Sequence, residues 1–235
     1  NSLTADNADA YRTAYERAEK AYKELGDGQK AKVTNASALT VAKNTLDKYD
    51  ANSKLGQTAK ELIQALPAST SITESNTLQV AQAKAAFDAY QKVEPNTPLL
   101  SGAESGKLTD VVKAINDVLA PKGTVNADKV STAVKSVADM IAALPDSVTL
   151  ADAQKVKEAK SAYDAITTAF DGAVNTAITT ALKGSLSKLE KAAGTIDSLT
   201  KDDTAVVAAF IDLVRKIDLS NKLNGIDEED DVVNE

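Results

Sequence analysis

The chain has 235 residues, of which 43% are hydrophobic and only 4% aromatic, and its 34 acidic and 27 basic residues give a net charge of −7. It contains neither cysteine nor histidine. This excludes disulfides, thiolate nucleophiles and Cys/His zinc sites, and it leaves no side chain whose ordinary pKa lies near neutrality. The acidic balance argues against nucleic-acid binding, which needs a basic face.

Alanine supplies about one residue in six, which is typical of helices that approach each other closely. No stretch reaches the roughly 18 uninterrupted apolar residues of a membrane span, so we expect no membrane insertion. Residues 1–4 carry no initiator methionine, basic region or apolar run, so we do not expect them to be a signal peptide. With an acidic stretch at the other end, we expect both ends to be cuts within a longer protein.

Apolar residues spaced three and four apart predict the first two helices. The first helix ends near 26–28, where glycines flank an aspartate. Its apolar stripe consists of Tyr11, Tyr15, Ala18, Tyr22 and Leu25. The helix that follows has the stripe Leu39, Ala42, Leu46 and Tyr49.

The middle of the chain predicts a helix stopped at Pro67, since proline cannot continue the hydrogen-bond ladder. A second helix follows it, with the stripe Val80, Ala83, Phe87 and Tyr90. Residues 94–98 contain two prolines and are expected to be a loop. The next helix has the stripe Leu108, Val111, Ile115 and Leu119.

The same order then recurs. A helix stops at Pro145, and Thr149 with Asp152 resembles a capping box that begins the next helix. That helix has the stripe Val156, Ala159, Tyr163, Ile166 and Phe170, and the one after it has Ile178, Leu182, Leu186 and Leu189. The last predicted helix carries Val206, Phe210, Val214 and Ile217 and resembles the helices that precede the two prolines.

These stripes predict an all-α protein of about eight helices, built from a repeated three-helix unit. The alignment pairs Tyr15 with Val80 and Val156, then Ala18 with Ala83 and Ala159, then Tyr22 with Phe87 and Tyr163. The unit is roughly 65–75 residues long and is expected to stack in tandem into an elongated array. The predicted boundaries are a partial unit at 1–52 that holds the second and third helices, complete units at 53–121 and 122–196, and at 197–235 the start of a further unit with an acidic tail.

Several strings resemble helical repeats in large cell-surface and S-layer-associated proteins of Gram-positive bacteria. They are 21–25 (AYKEL), 29–35 (QKAKVTN), the two Ala-Leu-Pro motifs ending at Pro67 and Pro145, and 162–165 (AYDA). The resemblance covers about three quarters of the chain. It implies a spacer or adhesive module between wall-anchoring and functional domains, and it assigns no ligand and no catalytic residue.

Residue patterns that carry chemistry are weak throughout, and we predict no catalytic, cofactor-binding or metal-ligating residue. The acidic run Asp227–Asp231 lacks the alternating spacing and central glycine of a calcium loop, so an acidic linker is the better interpretation. Carboxylate pairs such as Glu16 and Glu19 occur, but glycoside hydrolysis needs two carboxylates held across a cleft, and the sequence does not indicate a cleft. The glycines match no phosphate-binding loop, and 35–37 (NAS) fits a glycosylation acceptor that a bacterium would leave unused.

Tyr11, Tyr15 and Tyr22 allow two interpretations, because their spacing places them on one helix face. They could pack in a core, which the other stripes favour, or form an exposed strip that binds sugar or peptide. Tyr49 and Tyr90 lie near helix ends, where a ring can be half-buried with its hydroxyl in water.

The repeat favours a non-catalytic spacer or assembly segment without a cofactor, and the resemblance implies that it belongs to an exported bacterial surface or S-layer protein. We expect its partners to be neighbouring subunits or adjacent domains of the same chain, and its location to be the cell wall or S-layer. Two alternatives stay open. One is a surface module that binds a cell-wall polysaccharide or a host protein through a helix face, and the other is a cytoplasmic helical scaffold.

Overall fold

The computed structural model describes residues 3–4, 6–93 and 99–224, with side chains to Thr204 and at Val206, Val207 and Ile211. In this part of the chain it contains eight α-helices, four short 3-10 turns and no strand. The predicted all-α class and the number of helices are therefore confirmed. The helices are α1 Ala8–Lys23, α2 Asp27–Lys30, α3 Ser37–Gln64, α4 Thr77–Lys92, α5 Gly102–Leu119, α6 Ala127–Ala142, α7 Ala153–Thr168 and α8 Gly172–Asn224.

The chain divides into two compact units. One comprises Asn1–Val137 and Ala162–Leu182, and the other comprises Ala138–Ser161 and Lys183–Glu235. Helices α1 to α5 belong wholly to the first unit, whereas α6, α7 and α8 each contribute residues to both. This division differs from the boundaries at 52/53, 121/122 and 196/197 expected from the repeat.

Helices α1, α4 and α7 are three versions of one element. Each is 16 residues long and follows a turn in which a threonine N–H donates to an Asn or Asp side chain three residues on. The pairs are Thr4 with Asn7 at 2.8 Å, Thr73 with Asn76 at 3.0 Å and Thr149 with Asp152 at 3.0 Å. Such a bond satisfies a backbone donor before the helix ladder begins. The capping role predicted for Thr149 and Asp152 is confirmed.

These caps correct the alignment of the first copy. The stripes placed Tyr15 opposite Val80, but the turns at Thr4 and Thr73, together with the equal helix lengths, place Tyr11 there instead. The alignment of the second copy with the third, Val80 with Val156, agrees with the caps. A shift of four residues is about one helical turn and keeps the same face. An apolar stripe alone therefore cannot distinguish the two alignments.

The joints between successive repeats are of two kinds. At the predicted boundary 52/53 the chain is helical without a break inside α3, and at 196/197 it is helical inside α8. The boundary at 121/122 instead falls in a 3-10 turn that begins at Pro121 and holds Lys122 and Gly123 at φ of 56° and 80°. The predicted loop at 94–98 lies outside the described residues.

The helices that precede the two prolines end in the same way. Helices α3 and α6 stop at Gln64 and Ala142, three residues before Pro67 and Pro145. In each case a lysine Nζ donates to the last helical carbonyl: Lys107 to Gln64 at 3.0 Å and Lys188 to Ala142 at 2.9 Å. Since helix ends leave carbonyls without partners, these lysines cap both helices.

Helices α3, α4 and α5 pack against one another and form a complete three-helix arrangement. Its buried core is aliphatic and alanine-rich, with Ala59, Ile63, Val80, Ala83, Val111, Ile115 and Leu119 fully enclosed. Tyr22, Phe87 and Tyr163, which the stripes paired, are each half-buried. In the alignment set by the caps, Phe87 corresponds to Ala18 and not to Tyr22. Among the described side chains, the enclosed rings are Tyr90, whose hydroxyl accepts from the N–H of Leu99 at 3.0 Å, and Phe170.

Candidate docking groove

An open apolar groove of about 570 Å³ lies along the hairpin of α1 and α3, and we call it the α1–α3 groove. The residues that line it are Tyr11, Ala14, Tyr15, Ala18, Ala21, Tyr22, Leu25, Val33, Asn35, Ala36, Ala38, Leu39 and Ala42. Such a run of apolar side chains, with few polar groups, is the common make-up of a binding surface.

The α1 wall of this groove is exposed where its equivalents in the other copies are buried. In the alignment set by the caps, Ala14 corresponds to Ala83 and Ala159. Both of those are 0% exposed, whereas Ala14 is exposed. Ala21 is also exposed, although its equivalents Tyr90 and Ile166 are enclosed. The same helical element therefore has a covered face in two copies and an open one in the first.

In the second copy, α3 covers the equivalent face of α4. The second half of α3 buries Gly56, Ala59 and Ile63, and this is the helix with which α4 packs most extensively. The approach at Gly56 is close, since an added Cβ would lie 2.8 Å from Cε2 of Tyr90 in α4 and 2.7 Å from Cδ1 of Leu99. The face of α1 in the α1–α3 groove is thus equivalent to the face of α4 that a helix covers in the second copy.

The three N-terminal tyrosines partly pack in a core and partly line an exposed surface, the two possibilities that the sequence left open. Tyr11, Tyr15 and Tyr22 are half-buried and line the groove. Tyr11 and Tyr15, with Tyr49, also pack against a small core of Leu3, Ala8 and Leu46. Each of the Tyr11 and Tyr15 rings therefore packs against this small core and also contributes apolar surface to the groove.

Ion pairs surround this surface. The Tyr15 hydroxyl donates to Oε1 of Glu19 at 2.8 Å, which raises the pKa of Tyr15, and Lys23 Nζ lies 2.9 Å from Oε2 of the same carboxylate. The hydrogen bonds from Lys23 and Tyr15 lower the pKa of Glu19. Across the hairpin, Arg12 donates to both carboxylate oxygens of Asp50 at 2.6 and 3.1 Å. The rim is charged while the floor is apolar.

The candidate residues Glu16, Glu19 and Asn35 lie on or next to the hairpin of α1 and α3. Glu19 is bound by Tyr15 and Lys23, and Glu16 is exposed on the same helix. Asn35 lies in the groove just before α3 begins. The acidic run 227–231 lies outside the described residues. Within the part that is described, no group of three or more His, Cys, Asp or Glu side chains is placed to hold a metal ion.

Sequence reasoning missed the groove, although a signal was present. Ala14, Ala18 and Ala21 follow helical spacing on the tyrosine face, and Leu3-Thr4 with Asn7 repeats the pattern of Ile72-Thr73 with Asn76. Aligning the copies on these Thr and Asn residues, instead of on the apolar stripe, gives the alignment that the caps show. The sequence does not predict in which copy the apolar face of this helix is covered, because that depends on whether another helix packs against it.

Among the helices that the structure describes, none has both the length and the apolar character needed to cross a membrane. Comparison of the chain with protein-family models, with curated proteins and with solved structures found no match.

Proposed function

We propose that this chain is a non-catalytic spacer or assembly segment of a bacterial cell-surface or S-layer protein. The observation that carries the proposal is the repetition of one 16-residue helix behind one capping turn, at α1, α4 and α7. Repetition of a unit that cannot bury its apolar face alone is the principle of stacked helical arrays. The resemblance of the Ala-Leu-Pro and AYKEL motifs to surface-protein repeats supports the location.

The continuity of α3 supports a mechanical role. Its 28 residues extend about 42 Å at 1.5 Å per residue. The first half of α3 forms the hairpin with α1, and the second half packs with α4 and α5. Because one helix is shared by two successive repeats of the three-helix unit, no flexible linker separates them. Repetition therefore adds length and stiffness together. The partners in this role are neighbouring subunits or adjacent domains.

A second candidate is a module that binds a cell-wall polysaccharide or a host protein through a helix face. The half-buried tyrosines of the α1–α3 groove favour it, since aromatic rings with free edges suit such ligands. The rest of the lining argues for a protein partner. Apart from the tyrosine hydroxyls, Asn35 is the one polar side chain among the lining residues, whereas a sugar needs many hydrogen-bonding groups.

The location can be tested on the source organism. Antibodies raised against this chain are expected to label intact cells as strongly as lysed cells, and brief protease treatment of intact cells should remove the signal. A known cytoplasmic protein, probed in parallel, serves as the control for lysis. Labelling confined to lysed cells would contradict a surface location and favour a cytoplasmic scaffold.

A further inference from the structure

We propose that the α1–α3 groove receives the C-terminal part of α8, residues 197–218, from a second copy of this chain, so that copies associate head to tail. The inference rests on the proposed assembly role and names the surface and the partner that would perform it.

The α8 segment has the register of α3, which covers α4, and of α6. In α3 the buried residues Gly56, Ala59 and Ile63, with Leu66 just beyond it, follow intervals of three, four and three. The same intervals relate the buried residues Val134, Val137, Ile141 and Leu144 in and after α6. They recur in the sequence of α8 at Val207, Phe210, Val214 and Ile217.

A shared motif strengthens this alignment. An acidic residue and two apolar residues occupy one position in all three helices: 61–63 (ELI), 139–141 (DMI) and 212–214 (DLV). The chain therefore contains a third helix of the type that covers α4, and the backbone of α8 is helical through this whole segment.

Three apolar side chains near the middle of the segment are exposed, whereas Leu199 near its start is half-buried. Val206, Val207 and Ile211 are 67%, 55% and 44% exposed, and Val207 occupies the position at which Gly56 and Val134 are buried. Burying branched aliphatic side chains of this size against an apolar surface stabilises an interface. An exposed apolar face on one helix and an open apolar groove of matching type are the two halves of a heterologous interface.

The two surfaces also carry opposite charge, although the chain as a whole is acidic. The hairpin 8–50, which includes the Arg12–Asp50 ion pair, holds eight basic and seven acidic residues, which gives +1. The segment 197–218 holds three basic and five acidic residues, which gives −2. Attraction between them favours pairing of the hairpin with α8 over pairing of either surface with itself.

The test is sedimentation of the chain over a range of concentrations, with two variants that each disable one half of the contact. Ala18→Glu places a carboxylate in the groove, where Ala18 is exposed, and Val207→Asp does the same on α8. We expect each variant to weaken self-association at least about tenfold, because either charge would be desolvated against an apolar partner. The controls are Ala10→Glu, exposed on α1 outside the groove lining, and Ser198→Asp, exposed on α8.

Mixing the two variants gives the sharpest outcome. Ala18→Glu keeps a functional α8 and Val207→Asp keeps a functional groove, so the mixture should form a one-to-one complex that neither variant forms alone. Circular dichroism of each variant shows that it has kept its helices. A labelled peptide of residues 197–218 should bind the wild-type chain and fail to bind Ala18→Glu.

Three results would overturn the inference: a chain that stays monomeric at about 1 mM, where even a weak interface would be seen, a mixture that does not pair, or a groove that binds wall polysaccharide but not the peptide. None of them would change the result of the cell-labelling experiment. Failure of this inference and failure of the proposed function are therefore distinguishable.

Discussion

At the scale of single residues, Gly56 shows most clearly what tertiary contact requires of this sequence. It lies in the interior of α3, where glycine costs about 1 kcal/mol relative to alanine. Its neighbours Tyr90 and Leu99 come so close that a Cβ would meet them at 2.8 and 2.7 Å. The missing side chain is what lets α3 and the Tyr90 ring come together.

Gly56→Ala is therefore expected to destabilise the chain although alanine is the better helix former. Overpacking against the enclosed Tyr90 ring costs about 1–3 kcal/mol, which exceeds the gain of about 1 kcal/mol in helix propensity. Gly106→Ala in α5 is the matched control, because a Cβ there meets nothing within 4 Å. It should stabilise the chain by about 0.5–1 kcal/mol.

Urea unfolding of both alanine variants measures this difference in the free energy of unfolding. If Gly56→Ala stabilised the chain as much as Gly106→Ala, the close packing of α3 against Tyr90 and Leu99 would be wrong.

At the scale of elements, Glu104 joins the start of α5 to the end of α3. Its carboxylate accepts from the Ser101 N–H at 2.7 Å and from the Ser101 hydroxyl at 3.0 Å, and Gln64 Nε2 donates to it at 2.9 Å. In return the Ser101 hydroxyl oxygen accepts from the Glu104 N–H at 3.3 Å, which completes a capping box. The hydrogen bond from the Ser101 N–H is the largest of several causes that lower the pKa of Glu104.

A lowered pKa in the folded state gives a pH dependence of known sign. The stabilisation from Glu104 is fully present above the pKa of about 4.3 that an unfolded glutamate has, and it is lost as the pH falls through the lower folded value. Glu104→Gln should destabilise the chain at pH 7, and the difference from wild type should shrink toward pH 3.

Urea titrations at several pH values between 3 and 7 measure this effect, with Glu190→Gln, exposed on α8, as the control. A difference between wild type and Glu104→Gln that did not vary with pH would show that the charge of Glu104 has no part in the cap.

The elements also show how much local sequence can predict. Pro67 and Pro145 each lie three residues beyond a helix end, and the pairing of Thr149 with Asp152 begins a helix as expected. These features depend on a few neighbouring residues, so the sequence alone indicates them. The continuity of α3 through 52/53 was missed, because nothing near Asn52 distinguishes a joint between units from the middle of a helix.

At the scale of the whole molecule, the proposed spacer role makes a prediction about size in solution. A compact globular chain of this length has a radius of gyration of about 17–18 Å. Stacked units should give a clearly larger value in small-angle X-ray scattering, measured at low concentration so that association between copies does not contribute. The Val207→Asp variant, measured in parallel, controls for such association. A radius of 17–18 Å would contradict the spacer role.

The sequence by itself determined the helical class, the repetition of one element and most of the points where helices begin and end. Those properties follow from propensity, capping and the apolar period, all of which act over a few residues. Only the tertiary structure decided which apolar faces are covered. Ala14 and Ala83 are the same residue at the same position of the repeat, yet one is exposed and the other enclosed. The difference arises because burial is a property of the neighbouring helix, and α4 has α3 beside it where α1 has an open groove.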